Sequence, residues 1–102
     1  MSVLEVNEEN FNEEVLLSEK PVVLDLFATW CGPCQIQGPI VEEIAKEHEE
    51  IKVAKVDVDK NAGIAEKYDV MSIPTIVIIK NGQVVKTFVG LTQKEEILEA
   101  LK

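Results

Sequence analysis

Cys31 and Cys34 stand with a glycine and a proline between them, in the run Trp30-Cys31-Gly32-Pro33-Cys34. Two thiols this close can join as a disulfide and separate again, which makes them a candidate two-electron redox pair. The thiolate is the nucleophile in disulfide exchange, so the attacking cysteine of such a pair needs a depressed pKa. Three other readings compete. A purely structural disulfide would close a loop of about four residues and gain only about 2 kcal/mol in the chain-entropy model. Half of a zinc site would need further ligands, and His48 is the remaining candidate of the usual type. His48 lies in Glu47-His48-Glu49-Glu50, which reads as a solvated helix end. Two inert buried cysteines would have no use for a glycine-proline turn.

Asp25 is the second residue with chemical potential. It is a carboxylate in the apolar run Val22 to Phe27, six residues before Cys31. It can be read as a polar side chain satisfied at a sheet end. It can also be read as a buried acid with a raised pKa that exchanges protons with Cys34. Trp30 is either an ordinary aromatic at the edge of a core or a flat apolar platform beside the dithiol.

The elements that must position these groups follow from periodicity and turn chemistry. Val3 to Val6 reads as a first strand, and Asn10 with Glu13 as a capping box opening a helix to about Ser18. Val22 to Phe27 reads as a central strand buried on both faces. A helix is expected from Cys34 to about Glu49, with an apolar stripe at Ile40, Val41, Ile44 and Ala45 and a kink at Pro39. Ile51 to Val58 is a strand, and Asn61 caps a short helix through Tyr68. Thr75 to Ile79 and Val84 to Val89 flank Asn81-Gly82, a strong hairpin signal. Thr92-Gln93-Lys94-Glu95 reads as a capping box for a last helix to Lys102.

The order β-α-β-α-β-α-β-β-α predicts an α/β fold, a parallel sheet covered on both faces with an antiparallel edge from the hairpin. Cys31 then sits beyond the carboxyl end of a strand, where such sheets meet ligands. It also precedes a helix whose first amides are unpaired and partly positive. Pro33 suits that first turn because it has no N–H to orphan, and Gly32 lets another backbone approach. These positions mark Cys31 as the open thiol and Cys34 as the shielded one.

The chain resembles the thioredoxin family over nearly its whole length. The resemblance rests on Val22 to Phe27, the Trp30 to Cys34 run, Pro39, Val53-Ala54-Lys55-Val56-Asp57-Val58-Asp59, Ile73-Pro74-Thr75, Lys80-Asn81-Gly82 and Val89-Gly90. It implies a central mixed five-stranded sheet flanked by four helices, and a protein-disulfide reductase. It implies that Asp25 serves as the buried acid and Lys55 as its cationic partner, although a solvated strand lysine fits Lys55 equally well. It implies a cis Ile73–Pro74 bond facing the dithiol, with the peptide before Pro74 offering hydrogen bonds to an extended substrate strand. By matching positions, Trp30, Gly32, Pro33, Val58, Ile73, Pro74, Val89, Gly90 and Leu91 form the surface where protein substrates dock; several could equally be core or turn. Gln35 stands where many relatives carry lysine, Phe27 where many carry tryptophan, and Gln37-Gly38 is a less common pair before Pro39. These departures bear on partner preference and redox poise, not on the reaction class.

Length and charge set the remaining expectations. The 102 residues suit one domain, residues 1–102, with 46% apolar content. A net charge of −9 argues against nucleic acid and anionic membranes. Met1 to Asn10 has three glutamates and no basic residue, unlike a signal peptide, so a cytoplasmic, monomeric protein is expected. No dinucleotide fingerprint is present and no bound cofactor or metal is expected. Protein disulfides would be substrates, and a separate thioredoxin reductase, dependent on NADPH or ferredoxin, would return the electrons. A non-catalytic binding module and a disulfide oxidase or isomerase are the alternatives. The paired cysteines beside Asp25 and Pro74 argue against the first. The Gly32-Pro33 dipeptide, which resembles the reducing members, argues against the second.

Overall fold

The computed structural model describes residues 3–102. In chain order it contains β1 (Leu4–Glu5), a π-helical turn (Asn12–Leu16), β2 (Val22–Phe27), α1 (Gly32–Glu47), β3 (Lys52–Asp57), α2 (Ala62–Lys67), β4 (Thr75–Lys80), β5 (Gln83–Val89) and α3 (Lys94–Ala100). The sheet order is β1-β3-β2-β4-β5. β3 pairs in parallel with both β1 and β2, whereas β4 is antiparallel to β2 and β5 antiparallel to β4. This is the mixed five-stranded sheet with four helices that the family resemblance implies.

β2 lies at the centre because its residues leave no face to show to water. Side chains alternate along a strand, so Val22, Leu24 and Leu26 point to one side. There they pack with Phe11 and Val15 from the N-terminal segment and Ile64 of α2. Val23 points to the other side, against Val41, Ile44 and Ala45 of α1 and Ile97 of α3. Fully burying one such side chain is worth about 1.5–3 kcal/mol, so the two clusters clamp helices to both faces. Asp25 and Phe27 share the alternation of Val23 and therefore face α1.

Three caps differ from expectation. The first helix is shorter than Asn10–Ser18 and is not capped by Asn10. Asn10 Oδ1 instead accepts from the Asn7 amide at 2.8 Å, while Asn7 Oδ1 accepts from the amides of Glu9 and Asn10. Short polar side chains satisfy local backbone in this way and compete with a helical cap. The helix that follows closes with an i→i+5 bond from the Leu17 amide to the Asn12 carbonyl at 2.9 Å. Asn61 does occupy the N-cap of α2, but its side chain works elsewhere: Oδ1 accepts from the Glu8 amide and Nδ2 donates to the Asp57 carbonyl. The cap comes from a distance, since Glu8 Oε2 accepts from the Gly63 amide at 2.7 Å. The last helix begins one residue later than the Thr92 box predicts. Gln93 is its N-cap, and Glu96 Oε1 accepts from the Gln93 amide at 3.4 Å.

The hairpin behaves as its turn residues require. Asn81 and Gly82 have φ of +53° and +78°, the left-handed pair of a type I′ turn. A Cβ on Gly82 would come within 3.1 Å of the Leu16 carbonyl oxygen, so the turn also packs on the end of the first helix. β5 is largely exposed along its length, so cover on both faces does not extend to this edge.

Candidate active site

β2 ends at Phe27, and the chain turns so that the Cys31 amide donates to the Ala28 carbonyl before α1 starts at Gly32. Cys31 is thereby the N-cap of a 16-residue helix with extended backbone, φ −93° and ψ 116°. Its Sγ accepts from the Cys34 amide at 3.2 Å. The first turn of α1 holds no acidic side chain, so the partial positive charge of its free amides acts on this sulfur without offset. Pro33 sits in that first turn, where a missing N–H costs nothing. Cys31 and Cys34 are joined as a disulfide with their Cα atoms 5.3 Å apart.

The expected contrast in exposure between the cysteines is not found. Joined as a disulfide, Cys31 and Cys34 are 5% and 6% exposed, packed against Ala28 with Phe27, Val58 and Ile73 around them. The approach lies over Gly32 and Pro33, which are exposed. No atom lies within 4 Å of where a Cβ on Gly32 would be. Cys31 Sγ is also 3.8 Å from the Ile73 carbonyl oxygen, a contact that becomes a hydrogen bond only when the sulfur carries a proton.

Asp25 is 3% exposed and its Oδ1 has no hydrogen-bond partner. The β2–β3 register sets it beside Lys55 and the β2–β4 register beside Ile76. Burial raises its pKa from 3.8 to about 7, and the Lys55 charge opposes that shift without cancelling it. Lys55 is half-buried on the same face, its Nζ 5.8 Å from the centre of the Phe27 ring. The structure therefore gathers Asp25, Lys55 and the dithiol on the side of the sheet that α1 covers.

The proposed docking residues lie at the four connections β2–α1, β3–α2, α2–β4 and β5–α3. Trp30 is 70% exposed and is oriented by its Nε1, which donates to Asp59 Oδ2 at 2.7 Å. Asp59 is placed in turn by its amide, which donates to Asp57 Oδ1. Val58 and Ile73 are half-buried, and the Ile73–Pro74 bond is cis. The buried Pro74 offers its carbonyl to the Gly90 amide at 2.8 Å, which draws the end of the hairpin toward the cysteines. Val89 and Leu91 flank Gly90 and are 70% and 42% exposed; Gly90 has φ +92°, a conformation that suits glycine.

Some residues here escaped the sequence reading. Met71 is 94% exposed and, with Trp30, Val58, Ala65, Val70 and Ile73, lines a shallow cleft of about 270 Å³. Nothing in its type marks it. Gln37 was legible only as an unusual residue, yet it is fully buried and bonded to the backbone of Thr92. Its signal is a polar residue on the stripe Cys34, Gln37, Val41, Ile44, which is otherwise apolar. A larger cleft of about 530 Å³, lined by Pro21, His48 and Leu98 among others, lies at the opposite end of β2 and contains none of these groups. His48 is the C-cap of α1, its Nδ1 3.1 Å from Glu50 Oε2, far along the helix from Cys34. Among the described residues, no three His, Cys, Asp or Glu side chains are grouped to hold a metal.

A dithiol at a helix start, a buried acid behind it and an apolar rim form a site for exchanging electrons with the disulfides of other proteins. Comparison with known proteins points to the same chemistry. A family model described as Thioredoxin matches residues 2–102. The chain is 46% identical over 95 residues to a thioredoxin of Rickettsia bellii, covering 92% of this chain and 90% of that one. It is 46% identical over 99 residues to a bifunctional thioredoxin reductase/thioredoxin of Mycobacterium leprae, covering 96% of this chain and 22% of that one. A solved structure of a mutant thioredoxin from Halobacterium salinarum superposes with a TM-score of 0.89 at 33% identity, over 98% of this chain and 88% of that one. The chemistry is protein-disulfide reduction by dithiol–disulfide exchange, and the chain belongs to the thioredoxin family of thiol–disulfide oxidoreductases.

Proposed function

We propose that Cys31 is the attacking sulfur, Cys34 the resolving one, and Asp25 the group that takes the Cys34 proton. The observation that carries this assignment is the Cys34 amide directed at Cys31 Sγ at 3.2 Å. In the reduced protein the same amide, with the helix start behind it, favours a thiolate at Cys31. That thiolate attacks one sulfur of a substrate disulfide. The substrate S–S bond breaks, the departing sulfur leaves as a thiolate and takes up a proton, and a mixed disulfide forms. Cys34 then gives its proton to Asp25 and attacks Cys31 Sγ. The second substrate thiolate leaves and is protonated, two electrons have passed to the substrate, and the Cys31–Cys34 disulfide remains. Lys55 steadies the Asp25 carboxylate while it is charged.

In the same reading, substrates lie across Trp30, Gly32, Pro33, Val58, Ile73, Pro74, Val89, Gly90 and Leu91 as an extended strand against the backbone around Pro74. The cycle closes through a thioredoxin reductase, with which the family works. An NADPH- or ferredoxin-dependent enzyme would serve, and assays with both classes distinguish them. Residues 1–102 act as one domain, as a monomer, in the cytoplasm. The strong acidity supports a protein partner over nucleic acid or an anionic membrane. Among the described residues no helix is long and apolar enough to cross a membrane.

The test of the assignment is trapping. Cys34→Ser should accumulate mixed disulfides with oxidised protein substrates on non-reducing gels, and Cys31→Ser should not. Trapping by Cys31→Ser alone would reverse the roles.

A further inference from the structure

Gln37 brings a complete amide into the interior with no exposed surface. It does not pair with another side chain. Its Oε1 accepts from the Thr92 amide at 2.8 Å and its Nε2 donates to the Thr92 carbonyl at 3.0 Å, so it satisfies both backbone groups of one residue 55 positions away. Thr92 is itself buried, and its Oγ1 donates to the Gly90 carbonyl at 2.9 Å. The Gly90 amide then donates to the Pro74 carbonyl at 2.8 Å. One line of hydrogen bonds therefore runs from the helix bearing Cys34, through the connection between β5 and α3, to the proline beside the dithiol.

This connection has no strand to hold it, since β5 ends at Val89 and α3 starts at Lys94. An apolar side chain in place of Gln37 would fill the space but leave the Thr92 N–H and C=O without partners. Buried backbone groups do not tolerate that, so the segment would shift toward water. We propose that Gln37 is a positioning residue for protein substrates: it holds Gly90–Thr92 at a fixed place relative to the dithiol and so sets the preference for protein disulfides over small ones. Gln37 touches neither sulfur nor substrate and acts through Thr92. The gain is preorganisation, because a docking edge already ordered spares the complex the cost of ordering it. The inference rests on the reading that Gly90 and Leu91 contact the substrate.

The experiment measures second-order rate constants of the pre-reduced protein with insulin, a folded protein disulfide, and with oxidised glutathione, which spans no docking strand. Trp30 fluorescence follows both reactions, and the readout is the ratio of the two constants. Gln37→Met keeps side-chain length without the amide. It should lower the ratio about fivefold, the equivalent of one hydrogen bond's worth of ordering, with the glutathione constant nearly unchanged. Thr92→Val, which removes only the hydroxyl bond to Gly90, gives a milder cut of the same line and should lower the ratio by less. Leu91→Ala tests the docking reading itself. If Leu91→Ala lowers the ratio and Gln37→Met does not, the inference about Gln37 fails and docking stands. If neither lowers it, the docking reading fails and this inference with it. Equal loss in both constants for Gln37→Met would show a general structural role and overturn the proposal.

Discussion

Asp25 is the residue at which the proposed function works against stability. Its folded pKa, about 7, lies above the value of 3.8 that an unburied aspartate shows. Between these pH values the folded protein binds more protons than the unfolded one, so stability falls as pH rises through the window. The penalty is absent below about pH 4 and complete above about pH 7, where it amounts to about 4 kcal/mol. Asp25→Ala removes it and leaves a small cavity costing about 1 kcal/mol. The variant should be more stable than the parent at pH 8, with the advantage gone by pH 4, as read from denaturant midpoints at both pH values. It should also resolve mixed disulfides more slowly. An equal or lower midpoint at pH 8 would mean that the carboxylate is well solvated or paired. The burial of Asp25 was legible because its five strand neighbours, Val22 to Leu24 with Leu26 and Phe27, are all apolar. The work of Gln37 was not, because its partner is a backbone far away in the chain and no side-chain pattern announces it.

Elements show the same division. β2 was readable to the residue, since an apolar run bounded by Pro21 and a turn admits one reading, and the hairpin was readable from Asn81-Gly82. Caps were misplaced where local pairs competed with distant ones. The Gly63 amide at the start of α2 is served by Glu8, a residue 55 positions earlier, and no short window of sequence contains both. Glu8→Ala should therefore cost about 1 kcal/mol, as for other lost caps, with protection of the Gly63 amide from hydrogen exchange falling first. Gly82→Ala forces a side chain into a left-handed position with φ +78° and sets its Cβ 3.1 Å from the Leu16 carbonyl oxygen. It should destabilise by about 1–2 kcal/mol, measured by urea denaturation, while leaving exchange rates with small disulfides unchanged.

At the scale of the whole molecule, 19 acidic against 10 basic side chains give a negative field that reaches well beyond the active site. Encounter with a basic protein disulfide should slow several-fold as ionic strength rises through about 0.1 M, where the screening length is about 10 Å, and encounter with an acidic one should quicken. Stopped-flow rates across a salt series with one substrate of each kind show the two slopes; parallel slopes would remove the steering. The same surface has one margin that charge protects only thinly. β5 pairs on one side alone, with β4, and Val84, Val85 and Val89 are 50%, 48% and 70% exposed along it. Lys86 interrupts this run, its Nζ 5.5 Å from the Phe88 ring centre, and a second chain adding a strand there would have to accommodate that charge. Lys86→Val would leave an unbroken β-forming stretch from Val84 to Val89 on an open border, the kind of segment that seeds cross-β fibrils. Light scattering during concentration should then rise at protein levels the parent tolerates, and unchanged scattering would show that Lys86 does not guard this border.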